Sequence, residues 1–192
     1  MKGTRPRGAD PASDQRMLVE LRDSEKEKAE LLMITDLERN DLGRVCEYGS
    51  VKVARRREIE AYATVYQATS TVEGTLKSSE DAFSLLGATF PGGSVTGCPK
   101  IRAMQIIDEL EPTRRGLYTG SMGYIGFNGA MDMNILIRTI VVKGGRAYFQ
   151  TGSGIVSDSD PQKEYEETLI KADAMARCLQ VMSDPAGAGV TA

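Results

Sequence analysis

The stretch LYTGSMGYIGFNGAMDMNILIRTIVVKGGRAYFQT, residues 117–151, decides the fold class of this chain. It predicts three successive strands, over residues 117–127, 132–142 and 146–151. Asn128-Gly129 and Gly144-Gly145 separate these strands, and both dipeptides favour tight hairpin turns. Because strands joined by tight turns run antiparallel, this half of the chain is predicted to form an antiparallel sheet.

Helical patterns lie on both sides of these strands. Ser24 followed by Glu27 matches a capping box and predicts a helix that continues to about Asn40. Asp160 with Pro161 is typical of another helix start, and that helix is predicted to reach about Met182. The other predicted elements are a short helix through Met17 and Leu21, strands over 49–54 and 61–73, a helix over 79–86 and a helix that opens at Pro99.

The order of these elements predicts an α+β fold in which helices flank antiparallel sheets. The chain of 192 residues is long enough to bury a hydrophobic core. Residues 1–182 form the predicted domain, and residues 1–11 are predicted to be its opening loop. The small, polar segment 183–192 is predicted to be a disordered tail.

The composition narrows the classes of function. The net charge is −3 with both signs mixed, and no apolar run could cross a bilayer, so we expect neither a nucleic-acid partner nor a membrane. Three widely spaced cysteines favour reduced thiols and a cytoplasmic location. The chain has no histidine, which excludes Ser-His-Asp and Cys-His catalysis. Any catalysis must therefore use carboxylates, lysine, tyrosine, backbone groups or an oxygen-ligated metal.

Three charged residues share one face of the final predicted helix. They are Glu164, Glu167 and Lys171, which lie about one turn apart in succession. Two carboxylates at this spacing could hold a hard cation such as Mg²⁺. The same spacing is also common on a solvated helix face, where Glu167 and Lys171 would form a surface ion pair. Glu30, in a charged helix start, is open to the same two interpretations.

Two glycine-rich segments and one arginine are candidates for binding an anion. Residues 92–97 and 152–154 each precede a predicted helix, and either could present backbone N–H groups or be a turn that needs glycine. Arg138 interrupts an apolar strand, so we expect its charge to be buried in an ion pair or to clamp a carboxylate in a cleft. The residues alone thus predict an α+β domain that could bind a small carboxylate with Mg²⁺.

Five segments, in order along the chain, resemble the chorismate-utilising enzymes, which include anthranilate, aminodeoxychorismate, isochorismate and salicylate synthases. The segments are KGTRPRG (2–8), AELLMITDLERNDLGRV (29–45), FPGGSVTGCPKIRAMQIIDELEP (90–112), YTGSMGYIGFNGAMDMNILIRT (118–139) and TGSGIVSDSDPQKEYEETLIKADA (151–174). The resemblance implies two stacked antiparallel sheets flanked by helices, with the active site between them. It also implies that this chain is the C-terminal portion of a longer domain, so we expect little turnover from the chain on its own.

The resemblance also implies roles for individual residues. Glu30 and Glu167 would bind Mg²⁺, with Glu164 beside them acting through water, and the metal would bind the ring carboxylate of chorismate. The remaining implied site residues are Tyr118, Arg138 and the backbone of Gly152 at the second carboxylate, Lys171 on the helix face, and Ser94, Thr96 and Gly97 lining the pocket.

Lys2 indicates which member of the family this chain resembles. It resembles the lysine that aminodeoxychorismate synthases have before GTRPRG, where anthranilate and isochorismate synthases have alanine. The resemblance implies a lysine-linked intermediate and ammonia supplied by a glutamine amidotransferase subunit. Anthranilate synthase, which eliminates pyruvate, and a truncated non-catalytic chorismate-binding fragment are the alternatives. Gln67 stands where many relatives have histidine, and its amide can donate a hydrogen bond to the leaving hydroxyl but cannot exchange a proton usefully.

Overall fold

A computed structural model describes residues 1–183 of the chain, which divide into two compact units with a boundary after Ile106. The elements up to the boundary are β1 (Thr4–Pro6), α1 (Pro11–Asp23), α2 (Glu25–Val45), β2 (Lys52–Ala61), β3 (Val65–Glu73), α3 (Ala82–Thr89), a 3₁₀ turn (Gly93–Val95) and α4 (Lys100–Leu110), within which the boundary falls. Those that follow are β4 (Ser121–Ile125), β5 (Met131–Ile135), β6 (Val141–Lys143), β7 (Arg146–Tyr148) and α5 (Pro161–Ser183).

The first unit packs helices on an antiparallel sheet of order β1-β3-β2. Its main core consists of Leu21 from α1, Leu31 from α2, and Tyr66 and Ala68 from β3. Burying these apolar side chains holds α1 and α2 against the sheet. A second buried cluster joins the end of α2 to α3. The predicted α+β arrangement of helices flanking an antiparallel sheet is therefore confirmed in this unit.

The second unit contains two antiparallel hairpins and the long helix α5. β4 pairs with β5, and β6 pairs with β7, with Asn128-Gly129 and Gly144-Gly145 at the two turns as predicted. Gly129, Gly144 and Gly145 have φ values of 82°, 59° and 72°, which explains why glycine stands at these positions. The predicted single strand over 132–142 is wrong, because the chain leaves the extended conformation after Ile135 and resumes it at Val141.

The prediction of a loop over residues 1–11 is wrong for its first half. Residues 4–6 form β1, which pairs antiparallel with β3 through Thr4 opposite Gln67. Pro6 sits at the end of this strand at the sheet edge, where a residue without an N–H is tolerated. The pairing partner lies far away in sequence, so no local pattern could have predicted the strand.

Several predicted boundaries also differ from the structure. α2 does begin after Ser24, whose hydroxyl accepts from the backbone N–H of Glu27 at 3.4 Å, but the helix continues to Val45 and not to Asn40. The strand predicted over 49–54 begins at Lys52 and runs on to Ala61, through a charged segment that forms one edge of the sheet. α5 extends to Ser183, where the predicted disordered tail begins, and residues 184–192 lie outside the described residues.

Asp14 on α1 is the centre of a polar cluster that joins the helix to the sheet. Its Oδ1 lies 2.7 Å from Nε of Arg7, and its Oδ2 accepts a hydrogen bond from the Tyr66 hydroxyl at 2.6 Å. The backbone N–H of Gly8 also donates to Oδ1, at 2.9 Å. These bonds, with that from Arg7 the strongest, hold the pKa of Asp14 well below its usual range.

We expect acid to destabilise the protein partly through Asp14. Its pKa is lower in the folded than in the unfolded state, so its stabilising contribution is present above about pH 4 and is lost as the pH falls further. Asp14→Asn should therefore lower the urea midpoint at neutral pH and flatten its decline between about pH 4 and pH 2. Asp36→Asn, at an exposed ion pair on α2, is the control. An unchanged decline in the Asp14 variant would contradict this role.

Candidate active site

Lys2 and Glu30 form an ion pair at the edge where β1 meets α2. The backbone N–H of Lys2 donates to the carbonyl of Ala68 on β3 at 2.9 Å, and Gly3 accepts from Ala68 at 3.1 Å. Nζ of Lys2 lies 3.2 Å from Oε2 of Glu30, with the side chains 31% and 14% exposed. The sheet holds the backbone of Lys2 while its amine reaches a helix carboxylate. The structure thus brings the predicted nucleophile to one of the predicted metal ligands.

Gln67 lies on the middle strand of the same sheet. It is half-buried on β3, opposite Thr4 on β1 and Glu60 on β2. Its neighbour Ala68 is the residue that holds the backbone of Lys2. Lys2, Glu30 and Gln67 therefore belong to one unit, in which the sheet and α2 set their positions.

The predicted anion-binding segment 92–97 is a compact turn. The Thr96 hydroxyl donates to the Gly92 carbonyl at 3.0 Å, and the backbone N–H groups of Val95 and Thr96 donate to Gly92 and Gly93 at 3.2 and 3.4 Å. These three donors therefore form hydrogen bonds within the turn itself. Ser94 is exposed, and Gly97 follows with a φ of 159°. The binding role of this segment stays a prediction.

A buried ion pair joins α2 to the start of α4, just after this turn, and the sequence did not lead us to predict it. Nζ of Lys100 donates to the carboxylate of Asp41, and the two side chains are only 15% and 9% exposed. The sequence did contain a signal that Asp41 is buried. Leu37, Asp41 and Val45 are spaced four apart, and all three lie on the buried face of α2. Burial, followed by the negative charge of Asp41, raises the pKa of neighbouring Glu38.

In the second unit, Tyr118, Gly152 and Lys171 come together. A side chain at Gly152 would place its Cβ only 2.7 Å from the Tyr118 hydroxyl oxygen, so glycine permits this close approach. Nζ of Lys171 donates to the carbonyl of Gly152 at 3.1 Å and pairs with Oε1 of Glu167 at 2.6 Å. Burial raises the pKa of Tyr118, so its hydroxyl keeps its proton as a donor at neutral pH. Three predicted substrate or catalytic residues thus meet around Gly152.

Glu164 is buried on the first turn of α5, with a residue exposure of 7%. Its Oε2 accepts from the Ser153 hydroxyl, and its Oε1 accepts from the Ser159 hydroxyl at 2.8 Å. Both serines lie in the segment that precedes the helix. The sequence analysis did not single out Ser159, although a serine just before a helix start is a common hydrogen-bonding residue.

Arg138 differs from its prediction. It does not lie within a strand, and its side chain is exposed, whereas a buried ion pair or a cleft was expected. Its φ of 50° places the backbone in the left-handed region, and this turns the chain between β5 and β6. The apolar run around it suggested burial, but the outward turn brings the guanidinium to the surface of its unit. A role in binding a carboxylate stays a prediction.

The carboxylates of Glu30, Glu164 and Glu167 supply the hard oxygen donors that Mg²⁺ takes. Glu30 and Glu167 each attract a lysine ammonium, so both positions already accept a positive charge. Within residues 1–183, no three acidic or cysteine side chains are grouped as a metal site. The chemistry of the donors fits Mg²⁺, and their joint action on one ion stays a prediction.

The sequence pattern of the chorismate binding enzymes matches residues 1–177. The chain belongs to this family. It is 51% identical over 182 residues to aminodeoxychorismate synthase component 1 of Bacillus subtilis, which covers 95% of this chain and 39% of that protein. It is 50% identical over 182 residues to anthranilate synthase component 1 of the same species, which covers 95% of this chain and 35% of that protein.

A solved structure leads to the same family. Anthranilate synthase component I from Streptococcus pneumoniae superposes with a TM-score of 0.80 and 47% identity, over 85% of this chain and 38% of that one. The predicted family and the α+β fold class are therefore confirmed. The chain spans between 35% and 39% of the length of these relatives. Among the helices within residues 1–183, none is long and apolar enough to cross a membrane.

Proposed function

We propose that this family member is the chorismate-site part of an aminodeoxychorismate synthase component 1. The observation that carries the proposal is the position of Lys2, whose backbone is paired to β3 and whose amine lies 3.2 Å from Glu30. A lysine whose backbone is held by the sheet, and whose amine is held by the Glu30 carboxylate, is suited to act as a nucleophile at a fixed position. The identity of 51% to the Bacillus subtilis aminodeoxychorismate synthase component 1 supports the same choice.

Lys2 acts in this proposal as a covalent nucleophile. After its ammonium has lost a proton to solvent, the amine attacks ring carbon 2 of chorismate, both ring double bonds shift, and the 4-hydroxyl leaves with a second amine proton as water. Ammonia then adds at carbon 4, the bond between carbon 2 and Nζ breaks, and the free lysine returns. The product, 4-amino-4-deoxychorismate, keeps its enolpyruvyl ether. Gln67, half-buried beside Ala68, donates a hydrogen bond to the leaving hydroxyl.

The other site residues bind the two carboxylates of chorismate. Tyr118, the backbone of Gly152 and Arg138 hold the enolpyruvyl carboxylate, and Ser94, Thr96 and Gly97 line the ring pocket. Glu30 and Glu167 would hold Mg²⁺, which when bound would polarise the ring carboxylate and stabilise the charge that develops there. Lys171 keeps the Gly152 carbonyl and Glu167 in place through its two contacts.

Ammonia comes from a glutamine amidotransferase subunit in this proposal. The relatives carry the name component 1, which supports a second component. The alternative reaction is that of anthranilate synthase, supported by the identity of 50% to the Bacillus subtilis enzyme. The two reactions can be told apart by their products, because anthranilate synthesis releases pyruvate from the ring and the proposed reaction does not.

Product analysis tests the proposal. The purified protein is incubated with chorismate, MgCl₂ and ammonium, and we expect mass spectrometry to detect 4-amino-4-deoxychorismate without free pyruvate. Intact-protein mass spectrometry, with ammonium omitted, should show an adduct with the mass of chorismate less one water. Because the adduct accumulates at one equivalent, it remains detectable when turnover is low. Free pyruvate together with anthranilate fluorescence would identify the alternative reaction.

A further inference from the structure

The segment between β7 and α5 is fastened to one face of the helix. Oε2 of Glu164 accepts from Ser153, the Thr168 carbonyl accepts from the Thr151 hydroxyl at 3.3 Å, and Nζ of Lys171 donates to the Gly152 carbonyl at 3.1 Å. Glu164, Thr168 and Lys171 lie at successive turns of α5, so all three are on one face of the helix. The segment that contains Gly152 is therefore attached at three points.

Glu164 differs from the other two attachment points because its charge is buried. A buried carboxylate is costly unless donors satisfy it, and here both oxygens accept a serine hydroxyl. Ser159 is also fixed from a second direction, since its hydroxyl accepts from the backbone N–H of Val156 at 3.1 Å. The position in the first turn of α5 adds a favourable interaction with the positive end of the helix dipole. The carboxylate thus organises both ends of the turn over 153–159.

We infer that Glu164 is a positioning residue, which holds the Gly152–Gly154 segment on α5 through Ser153 and Ser159. This inference rests on the proposed function for its consequence, because Gly152 is there assigned to the enolpyruvyl carboxylate of chorismate. It differs from a role for Glu164 as a metal ligand. A ligand acts through the ion, whereas a positioning residue acts through the two serines.

The two roles predict different responses to the same set of variants. Glu164→Ala and the double variant Ser153→Ala/Ser159→Ala remove opposite sides of the same hydrogen bonds. If Glu164 positions the segment, both should speed amide hydrogen exchange over residues 152–155 on the order of tenfold, since charged hydrogen bonds hold it closed. Val156 is left out of the comparison because its N–H is bonded to the Ser159 hydroxyl itself. Glu164→Gln should give an intermediate rate, because its amide has one oxygen to accept a hydroxyl. Glu166→Ala, on the same helix but exposed and bonded to Gln162 at 3.0 Å, should leave the rate unchanged.

Mg²⁺ titration by calorimetry, without chorismate, provides the second measurement. Glu164→Ala should bind Mg²⁺ as the parent protein does, and chorismate should bind more weakly to that variant and to the double serine variant alike. A loss of Mg²⁺ affinity in Glu164→Ala alone, with unchanged hydrogen exchange, would overturn the inference. Unchanged exchange in both Glu164→Ala and the double serine variant would also overturn it. If no protein in the set binds chorismate, the proposed function fails, while the exchange rates still decide the role of Glu164.

Discussion

Lys2→Ala is expected to abolish both the chorismate adduct and the formation of 4-amino-4-deoxychorismate. Removal of a covalent nucleophile leaves only the catalysis that binding provides, so we expect a loss of at least about a thousandfold in rate. The loss should appear in turnover number and not in chorismate affinity alone, because the amine acts after the substrate is bound. The measurements are intact-protein mass spectrometry for the adduct and chromatography with mass detection for the product.

Two control variants separate the chemistry of Lys2 from its ion pair. Lys2→Arg keeps a positive charge that can pair with Glu30, but a guanidinium is not a nucleophile at neutral pH, so this variant should also lack the adduct. Lys28→Ala removes a half-buried lysine on α2 that pairs with Glu25, and it should retain full activity. A Lys2→Ala protein that keeps the parent rate would rule out the covalent role.

Lys100→Met is expected to destabilise the protein by about 3–5 kcal/mol, because it leaves the Asp41 carboxylate buried without its counter-charge. This is a large share of the stability of an ordinary domain. The pair joins α2 to the start of α4, so the turn over 92–97 should loosen at the same time. Urea unfolding followed by circular dichroism measures the change in free energy.

Removing both charges should cost much less than removing one. The double variant Asp41→Leu/Lys100→Met eliminates the buried charge, and we expect it to recover most of the stability lost in Lys100→Met. Arg39→Ala is the matched control, since it breaks an ion pair on α2 whose side chains are 50% and 71% exposed, and it should change stability by less than about 1 kcal/mol. Equal effects of Lys100→Met and Arg39→Ala would show that burial of the pair has no energetic consequence.

Three helix starts were predictable because the residues that mark them are local, whereas the helix predicted over 79–86 begins only at Ala82. Ser24 before α2, Pro99 before α4 and Asp160 before α5 all mark observed helix starts. Helix ends were less predictable, since α2 continues past Asn40 to bury Val45 in the second core cluster. The end of a helix depends on what it packs against, and a single segment of sequence does not contain that information.

The motifs named candidate site residues, but they did not predict which of those residues would be in contact. The motifs singled out Lys2, Glu30, Gly152 and Lys171, and the structure places the first two together and the last two together. Arg138 was expected to be buried or paired because of its apolar neighbours, but a residue in the left-handed conformation turns it outward. Backbone turns of this kind are rare for arginine, so hydrophobic periodicity could not predict it.

The sequence by itself determined the type of most elements, the family of the chain and the absence of imidazole chemistry, because local propensities, motifs and composition are all written in residue order. Only the tertiary structure decided that β1 exists, that Lys2 meets Glu30, that Asp41 meets Lys100 and that Glu164 meets Ser153 and Ser159. Most of these partners are separated along the chain, and even nearby ones meet only when the segment folds onto its helix. Their pairing follows from which surfaces the folded chain buries together, and burial makes each unpaired charge costly enough to require its partner.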